Sequence, residues 1–454
     1  MSILVVGAGE IGYHVARRLS LEQKDVTVID CDADKVKKVL DNLDVEAVRA
    51  GGSSPRALRQ AGIADAEMII AVTNSDEVNL VSCLVAGAQA RSVTSVARIR
   101  NLEFFDNPEI LENGSLKVDL AINPDYEAVE TITERLQVPG ATDVVSFSNG
   151  AVKLIGLRVE NPMFREGIML QELQSRTSID GFIVTAIYRG GETIIPHGRD
   201  YVYQHDFIYA ITAGHNINPM MNFFGQPYQE IKRAMIVGGG PIGVLLAREL
   251  EKMKIPCKLL EADETRCVTI AEQLNKTIVL HHGGELEDIL SEEYIENTDI
   301  FFAVTDDEED NVLLSLIARQ KGAKKTAALI QNMTYTQLVS GIGIDMVVNP
   351  NLCAINRILQ FIRRGKILAV ASFYEKNAEA IEALALETSD IVGKPLARIK
   401  FPRGAIVGAI IRNDTLIVPQ GDSVIEPQDR VIIFAFSNII HQVEKLLTVK
   451  LEYW

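Results

Sequence analysis

Two hexapeptides, Gly7-Ala8-Gly9-Glu10-Ile11-Gly12 and Gly238-Gly239-Gly240-Pro241-Ile242-Gly243, share the spacing G-x-G-x-x-G. Each follows a short apolar run, at residues 3–6 and 234–237, and each is followed after 18 residues by an acid, Asp30 or Glu261. That context is a dinucleotide fingerprint. The first glycine permits a tight turn, the second lets backbone approach a pyrophosphate, and the third allows close helix–strand packing. The helix that opens there offers free N–H groups and a partial positive charge to phosphate. Gly7, Gly9, Glu10, Ile11 and Gly12 form the first candidate loop. Asp30 is its ribose acceptor, and its charge favours NAD(H) over NADP(H). Gly238, Gly240, Pro241, Ile242 and Gly243 form the second, where Pro241 falls in the first turn of a helix that tolerates it. Glu261 still reaches a ribose. The second copy reads either as a second site or as a structural copy.

Thr73, Asn74 and Asp76 follow the fourth expected strand, where strand ends line the ligand crevice of an open α/β sheet. Asn74 and Asp76 read equally well as a helix cap and a first-turn acid. Thr305 is the counterpart of Thr73. Arg98 ends the next strand, placed to pair with phosphate or with a surface acid, and its counterpart is Leu329. The two sites therefore differ in ligand or in affinity. The run Asp306-Asp307-Glu308-Glu309-Asp310 reads as a solvated helix start rather than a cation site. His281 and His282 are adjacent and point apart, and no Cys/His cluster occurs, so no metal site is expected. No G-x-S-x-G, Walker A motif or catalytic dyad is visible, so no catalytic residue is assigned.

The elements that must hold these residues occur twice. Offsets of 231 or 232 relate Asp30 to Glu261, Gly51-Gly52 to Gly283-Gly284, and residues 71–79 to 303–311. The offset falls to 223 at Pro196-His197-Gly198 and Pro419-Gln420-Gly421, as loop deletions would produce. Within each half, short β-branched strands first alternate with helical stretches such as residues 78–88. This predicts a parallel sheet with helices on both faces. A smaller β-containing segment follows, with hairpins around residues 189–191 and 412–414 and a buried strand at 431–436. The fold class is thus α/β: two Rossmann-like parallel-sheet lobes, each followed by a small α+β C-lobe. The boundaries expected are 1–137, 138–225, 231–362 and 363–454, with a Pro- and Gly-containing linker over 216–230.

The 454 residues are 47% hydrophobic, enough for several cores without disulfides. The net charge of −16 repels nucleic acid and bare anionic lipid. Five cysteines without a C-x-x-C pair suit a reducing cytoplasm, as buried or half-buried free thiols. The N-terminal residues lack the features of a signal peptide, and no apolar run reaches the length of a membrane span.

The doubled fingerprint, the twin A-V-T-x-x-[DE]-E-x-N segments, Ala97-Arg98-Ile99-Arg100 and Pro419-Gln420-Gly421-Asp422 together resemble the tandem RCK (KTN) family. Its members are peripheral regulatory subunits of bacterial Trk potassium uptake systems. The resemblance spans essentially the whole chain. It implies a homo-oligomeric, tetrameric ring on the cytoplasmic face of an integral-membrane Trk-type potassium channel subunit. It also implies NAD(H) and ATP or ADP in the N-lobes, with bound nucleotide changing ion flux. Gly7, Gly9, Gly12, Asp30, Thr73, Asn74 and Arg98 carry over as nucleotide contacts. One departure is that a G-D-A segment common after the third strand reads Gly51-Gly52-Ser53 and Gly283-Gly284-Glu285 here. The alternative reading is an NAD-dependent oxidoreductase with a β-rich substrate lobe.

Overall fold

The computed structural model describes residues 2–447 apart from positions 91, 108, 113–115, 117, 178, 180, 227–228, 284–285, 340–341, 363–366, 374–376 and 414. Near-continuous apolar runs make central strands that are buried on both faces. The strands of the first N-lobe are β1 (Ser2–Val6), β2 (Asp25–Asp30), β3 (Glu46–Arg49), β4 (Met68–Ala71), β5 (Thr94–Arg98) and β6 (Leu120–Ile122). They form one parallel sheet in the order β3-β2-β1-β4-β5-β6. Helices α1 (Glu10–Leu21), α2 (Ala33–Asn42), α3 (Pro55–Gln60) and α4 (Asp76–Gln89) follow the first four strands. The order reverses between β1 and β4, so the carboxyl ends of these two strands open a crevice where Gly7 and Thr73 stand.

The second N-lobe repeats this sheet. Its parallel strands are Ala234–Val237, Cys257–Glu261, Ile278–His281, Ile300–Ala303, Thr326–Leu329 and Met346–Val348, with the same spatial order. Each C-lobe is a five-stranded antiparallel sheet with equivalent strand order. Residues of both C-lobe sheets share one core: Phe147, Leu154, Tyr209 and Ile211 lie with Ala380, Ala409, Ile432 and Phe434. The Tyr209 ring stands 4.4 Å from that of Phe373.

Packing divides the chain into two units. One holds Met1–Val129, Gln331–Met333 and Asn349–Ile362; the other holds Glu130–Ile330, Thr334–Val348 and Arg363–Trp454. The first N-lobe therefore incorporates a helix from the second half. Helix Pro350–Ile362 buries Ala354, Ile355, Ile358, Leu359 and Ile362 and packs with α1. Its Arg357 Nε stands 3.7 Å from a Glu127 carboxylate oxygen.

Two further expectations differ from the structure. The linker expected over 216–230 begins with a helix, Ile217–Phe223, and Met220, Met221 and Phe224 are fully buried in the first C-lobe core. Pro219 sits near the start of that helix, where its missing N–H costs little. Among the cysteines, Cys83, Cys257 and Cys267 are buried and Cys353 is half-buried, but Cys31 is exposed, because it lies just past the end of β2. The expected turn residue Asp414, and Gly284 and Glu285 of the departing segment, lie outside the described residues.

Candidate nucleotide-binding site

The two glycine loops are built alike, and their three glycines do different work. Gly7 has φ +102° and Gly238 φ +109°, a conformation L side chains rarely adopt. Their N–H groups donate to Ile29 and Leu260 carbonyls at 2.8 and 3.0 Å, which closes each loop onto the neighbouring strand. A Cβ at Gly12 would overlap the Gly7 carbonyl oxygen, and one at Gly243 would overlap that of Gly238. These two glycines serve helix–strand packing. At Gly9 and Gly240, the residues preceding the first turns of α1 and helix Pro241–Lys252, a Cβ would meet nothing within 4 Å. The protein itself leaves that space open, as an approaching ligand requires. Ile11 and Ile242 are buried under the loops, Glu10 is an exposed first-turn acid, and Pro241 occupies the first helical position.

The acids at the ends of the second strands turn toward the loops. Asp30 Oδ2 accepts from Ala8 N at 2.6 Å and Oδ1 from Asp32 N at 2.8 Å. Glu261 Oε2 accepts from Gly239 N at 2.9 Å and Oε1 from Asp263 N at 2.9 Å. One acid thus fixes the middle residue of each loop. In the second lobe Arg266 Nη2 also donates to the Gly239 carbonyl at 2.8 Å and lies 4.0 Å from Glu261.

The loops after β4 and after strand Ile300–Ala303 are held by asparagines that sequence reasoning passed over. Asn79 is fully buried. Its Oδ1 accepts from Thr73 N and Thr73 Oγ1 at 2.8 and 2.7 Å, and its Nδ2 donates to the carbonyls of Thr73 and Arg98 at 3.1 and 2.8 Å. Asn311 repeats the pattern with Thr305 and Leu329. The signal was present, since Asn79 and Asn311 end the twin segments 71–79 and 303–311. Asn74 is exposed and is not the cap of α4; Ser75 is, accepting from Val78 N at 3.2 Å. Asp76 lies in the first turn, and its Oδ2 accepts from Arg100 N and Asn101 N at 2.9 Å each. In the acidic run, Asp307 caps helix Glu308–Gln320. No group of acids, histidines and cysteines suited to a metal occurs among the described residues.

Arg98 separates the two lobes. It is 8% exposed, and Nη1 donates to Asn74 Oδ1 at 3.3 Å. Its buried Nε has no hydrogen-bond partner. Burial, and then the nearby Arg100, pull its pKa down to about 10, so it is still charged at neutral pH. A buried cation with an unmet donor is costly unless an anion joins it. The second lobe has Leu329 there, 5% exposed. The structure thus brings Gly7, Gly9, Asp30, Thr73, Asn74 and Arg98 to one end of the first sheet. Gly238, Gly240, Glu261 and Thr305 stand at the same end of the second.

The TrkA-N domain model matches residues 3–124 and 234–350, and the TrkA-C domain model matches residues 381–448. The Trk system potassium uptake proteins TrkA of Azorhizobium caulinodans and of Halomonas elongata are each 36% identical to this chain, with both chains covered in full. The chain belongs to the TrkA family. Both of its N-lobes match the TrkA-N domain model, and these relatives are named as potassium uptake proteins, not as dehydrogenases. The fold also resembles a solved GsuK channel bound to NAD, with a TM-score of 0.59 at 16% identity over 98% of this chain and 78% of that one. The GsuK RCK domain gives 0.58 at 16% identity, over 98% and 94%. Among the described residues no helix is long and apolar enough to cross a membrane.

Proposed function

We propose that this TrkA-family chain is a nucleotide-sensing regulatory subunit that binds NAD(H) in its first N-lobe and gates an integral-membrane Trk-type potassium channel subunit. The observation that carries the reading is Arg98, buried at the end of β5 with its Nε unpartnered, at the same sheet end as the open face of Gly9. A phosphate-bearing ligand meets that need. The first-turn N–H groups of α1 and the Arg98 guanidinium would hold the pyrophosphate, and Asp30 would accept from ribose hydroxyls. Thr73 and Asn74 line the opposite side of the crevice. Gly238, Gly240, Gly243, Glu261 and Thr305 make the second lobe a weaker site, and adenine nucleotides such as ATP or ADP are further candidate ligands. The reading takes the chain as four lobes, 1–137, 138–225, 231–362 and 363–454. These assemble as a homo-oligomeric ring, a tetramer, peripheral on the cytoplasmic face of the membrane. A nucleotide that binds one ring conformation better than another shifts it by the difference in affinity, about 1–3 kcal/mol.

Two measurements test this. Calorimetric titration with NADH, NAD, ATP and ADP should show binding that Gly9→Ala weakens without unfolding the lobe, since the methyl meets no protein atom. Potassium flux through the reconstituted complex should change on adding nucleotide. Unchanged flux at saturating nucleotide would overturn the gating role.

A further inference from the structure

The first C-lobe holds a cavity of about 350 Å³, within the range of small-ligand pockets. Its floor is a guanidinium clip. Arg189 Nε and Nη2 donate to Asp206 Oδ1 and Oδ2 at 2.7 and 2.6 Å, and Nη2 also reaches the Tyr201 carbonyl at 2.8 Å. The Tyr203 ring lies over this guanidinium, 4.6 Å from centroid to Cζ.

The second C-lobe contains the same clip. Arg412 Nε and Nη2 donate to Asp429 at 2.9 and 2.8 Å, and Nη2 donates to the Val424 carbonyl at 2.9 Å. The flanking turn is also the same, with His205 at φ +70° and Gln428 at φ +72°. One donor differs. Arg412 Nη1 is taken by the Glu426 carboxylate at 2.6 Å. The residue at the place of Glu426 in the first C-lobe is Tyr203, and Arg189 Nη1 makes no hydrogen bond among the described residues. The second copy thus carries its own oxyanion where the first leaves a guanidinium donor open beneath an aromatic ring.

Three more positions differ. Tyr188 lines the cavity where the second copy has Ile411, and His205 where it has Gln428. Arg158, opposite Phe207 in the sheet, corresponds to Leu384, opposite Arg430. Arg158 is exposed, and its Nη1 donates to the His205 carbonyl at 3.3 Å. His205 Nδ1 pairs with Glu160 at 3.1 Å, which leaves Nε2 as its remaining polar atom. Both copies keep the clip. Around it the first copy sets Tyr203, Tyr188, His205 and Arg158 where the second has Glu426, Ile411, Gln428 and Leu384, while Phe207 and Glu160 stand where the second has Arg430 and Leu386.

We infer that this cavity is a binding site for a small ligand that joins an oxyanion, phosphate or carboxylate, to a flat ring. The oxyanion takes the place Glu426 fills in the second copy, meeting Arg189 Nη1 and Arg158, and the ring lies against Tyr203 and Tyr188. This site is separate from the glycine loops and does not depend on their function.

The test is titration of the full-length protein with phenyl phosphate and with benzoate, followed by calorimetry and saturation-transfer NMR. Inorganic phosphate and phenol serve as the half-ligands. At least one of the joined compounds should bind more tightly than either half, and which one binds better identifies the oxyanion. Tyr203→Glu, which supplies the second copy's internal carboxylate, should weaken binding about tenfold, as should Arg158→Ala; each removes one charge-assisted contact. Tyr203→Phe should retain it. Unchanged thermal transitions in these variants show that the clip and fold survive. Binding of neither joined compound overturns the inference. So does inorganic phosphate binding as tightly as phenyl phosphate, or affinity that is indifferent to Tyr203→Glu.

Discussion

In the first N-lobe a buried arginine closes the end of β5; in the second, a leucine occupies the same place. Around that difference almost everything else is held in common. Both loops carry a left-handed glycine, a glycine pressed against a carbonyl and a glycine facing open space. In both, an acid accepts from the loop's middle residue and an asparagine ties the opposite loop to the next strand. The two copies share the scaffold that shapes the crevice, and one alone carries the buried guanidinium. On the proposed reading, the demands of folding and of binding are separable residue by residue.

The largest effect tests the shared part. Gly12→Ala and Gly243→Ala each drive a methyl into a backbone carbonyl and should each cost about 3 kcal/mol or more. Chemical denaturation with amide exchange resolved to each lobe would measure this. A tolerated Gly243→Ala would break the equivalence of the two loops. Next comes the unshared part. Arg98→Leu makes the first lobe resemble the second and should weaken nucleotide binding about 10–100-fold by calorimetry, with no loss of stability, since a buried unmet donor disappears. A variant that binds normally would show that Arg98 is structural.

Asn79→Ala and Asn311→Ala should each cost about 1–3 kcal/mol by thermal or urea unfolding, because four hydrogen bonds lose their partner. Only Asn79→Ala should also reduce nucleotide affinity, because only there does the tie end on an arginine.

The smallest effect is a pH difference between the lobes. Burial raises the Glu251 pKa, but the N–H groups of Lys276, Thr277 and Asn275 and the Thr277 hydroxyl outweigh it and bring it down to about 2. A carboxylate depressed in the folded state contributes stability above its unfolded pKa and loses it as pH falls toward the folded one. The first lobe has Ser20 at this position, donating to the Asp44 carbonyl. Amide protection factors in strand Ile278–His281, taken relative to intrinsic rates, should therefore fall between about pH 4.5 and 2, and Glu251→Gln should remove that dependence. An equal fall in β3 would contradict the assignment.

The glycine loops were legible in the sequence because backbone conformation and close approach admit one residue type. Asp30 and Glu261 were legible by their spacing. Asn79 and Asn311 were in plain view inside the repeated segment, yet an asparagine that only ties loops together has no motif to announce it. Asn74 was open between cap and contact because its neighbour Ser75 caps equally well. Helix Ile217–Phe223 was hidden by Pro219 and flanking polar residues, although Met220, Met221 and Phe224 were its core-facing side. The C-lobe difference was also hidden, because Tyr203 and Glu426 acquire meaning only once Arg189 and Arg412 are seen to hold identical clips.

Helix Pro350–Ile362 has a consequence in time. The first unit ends its contiguous stretch at Val129 but needs residues up to Ile362 to be complete. At ribosomal speeds the intervening synthesis takes roughly 10–50 s. During that interval the nascent first lobe presents the α1 surface that this helix later covers. The wait spans the making of an entire second N-lobe with the same strand order, so the first unit is completed only after its own near-copy has been made.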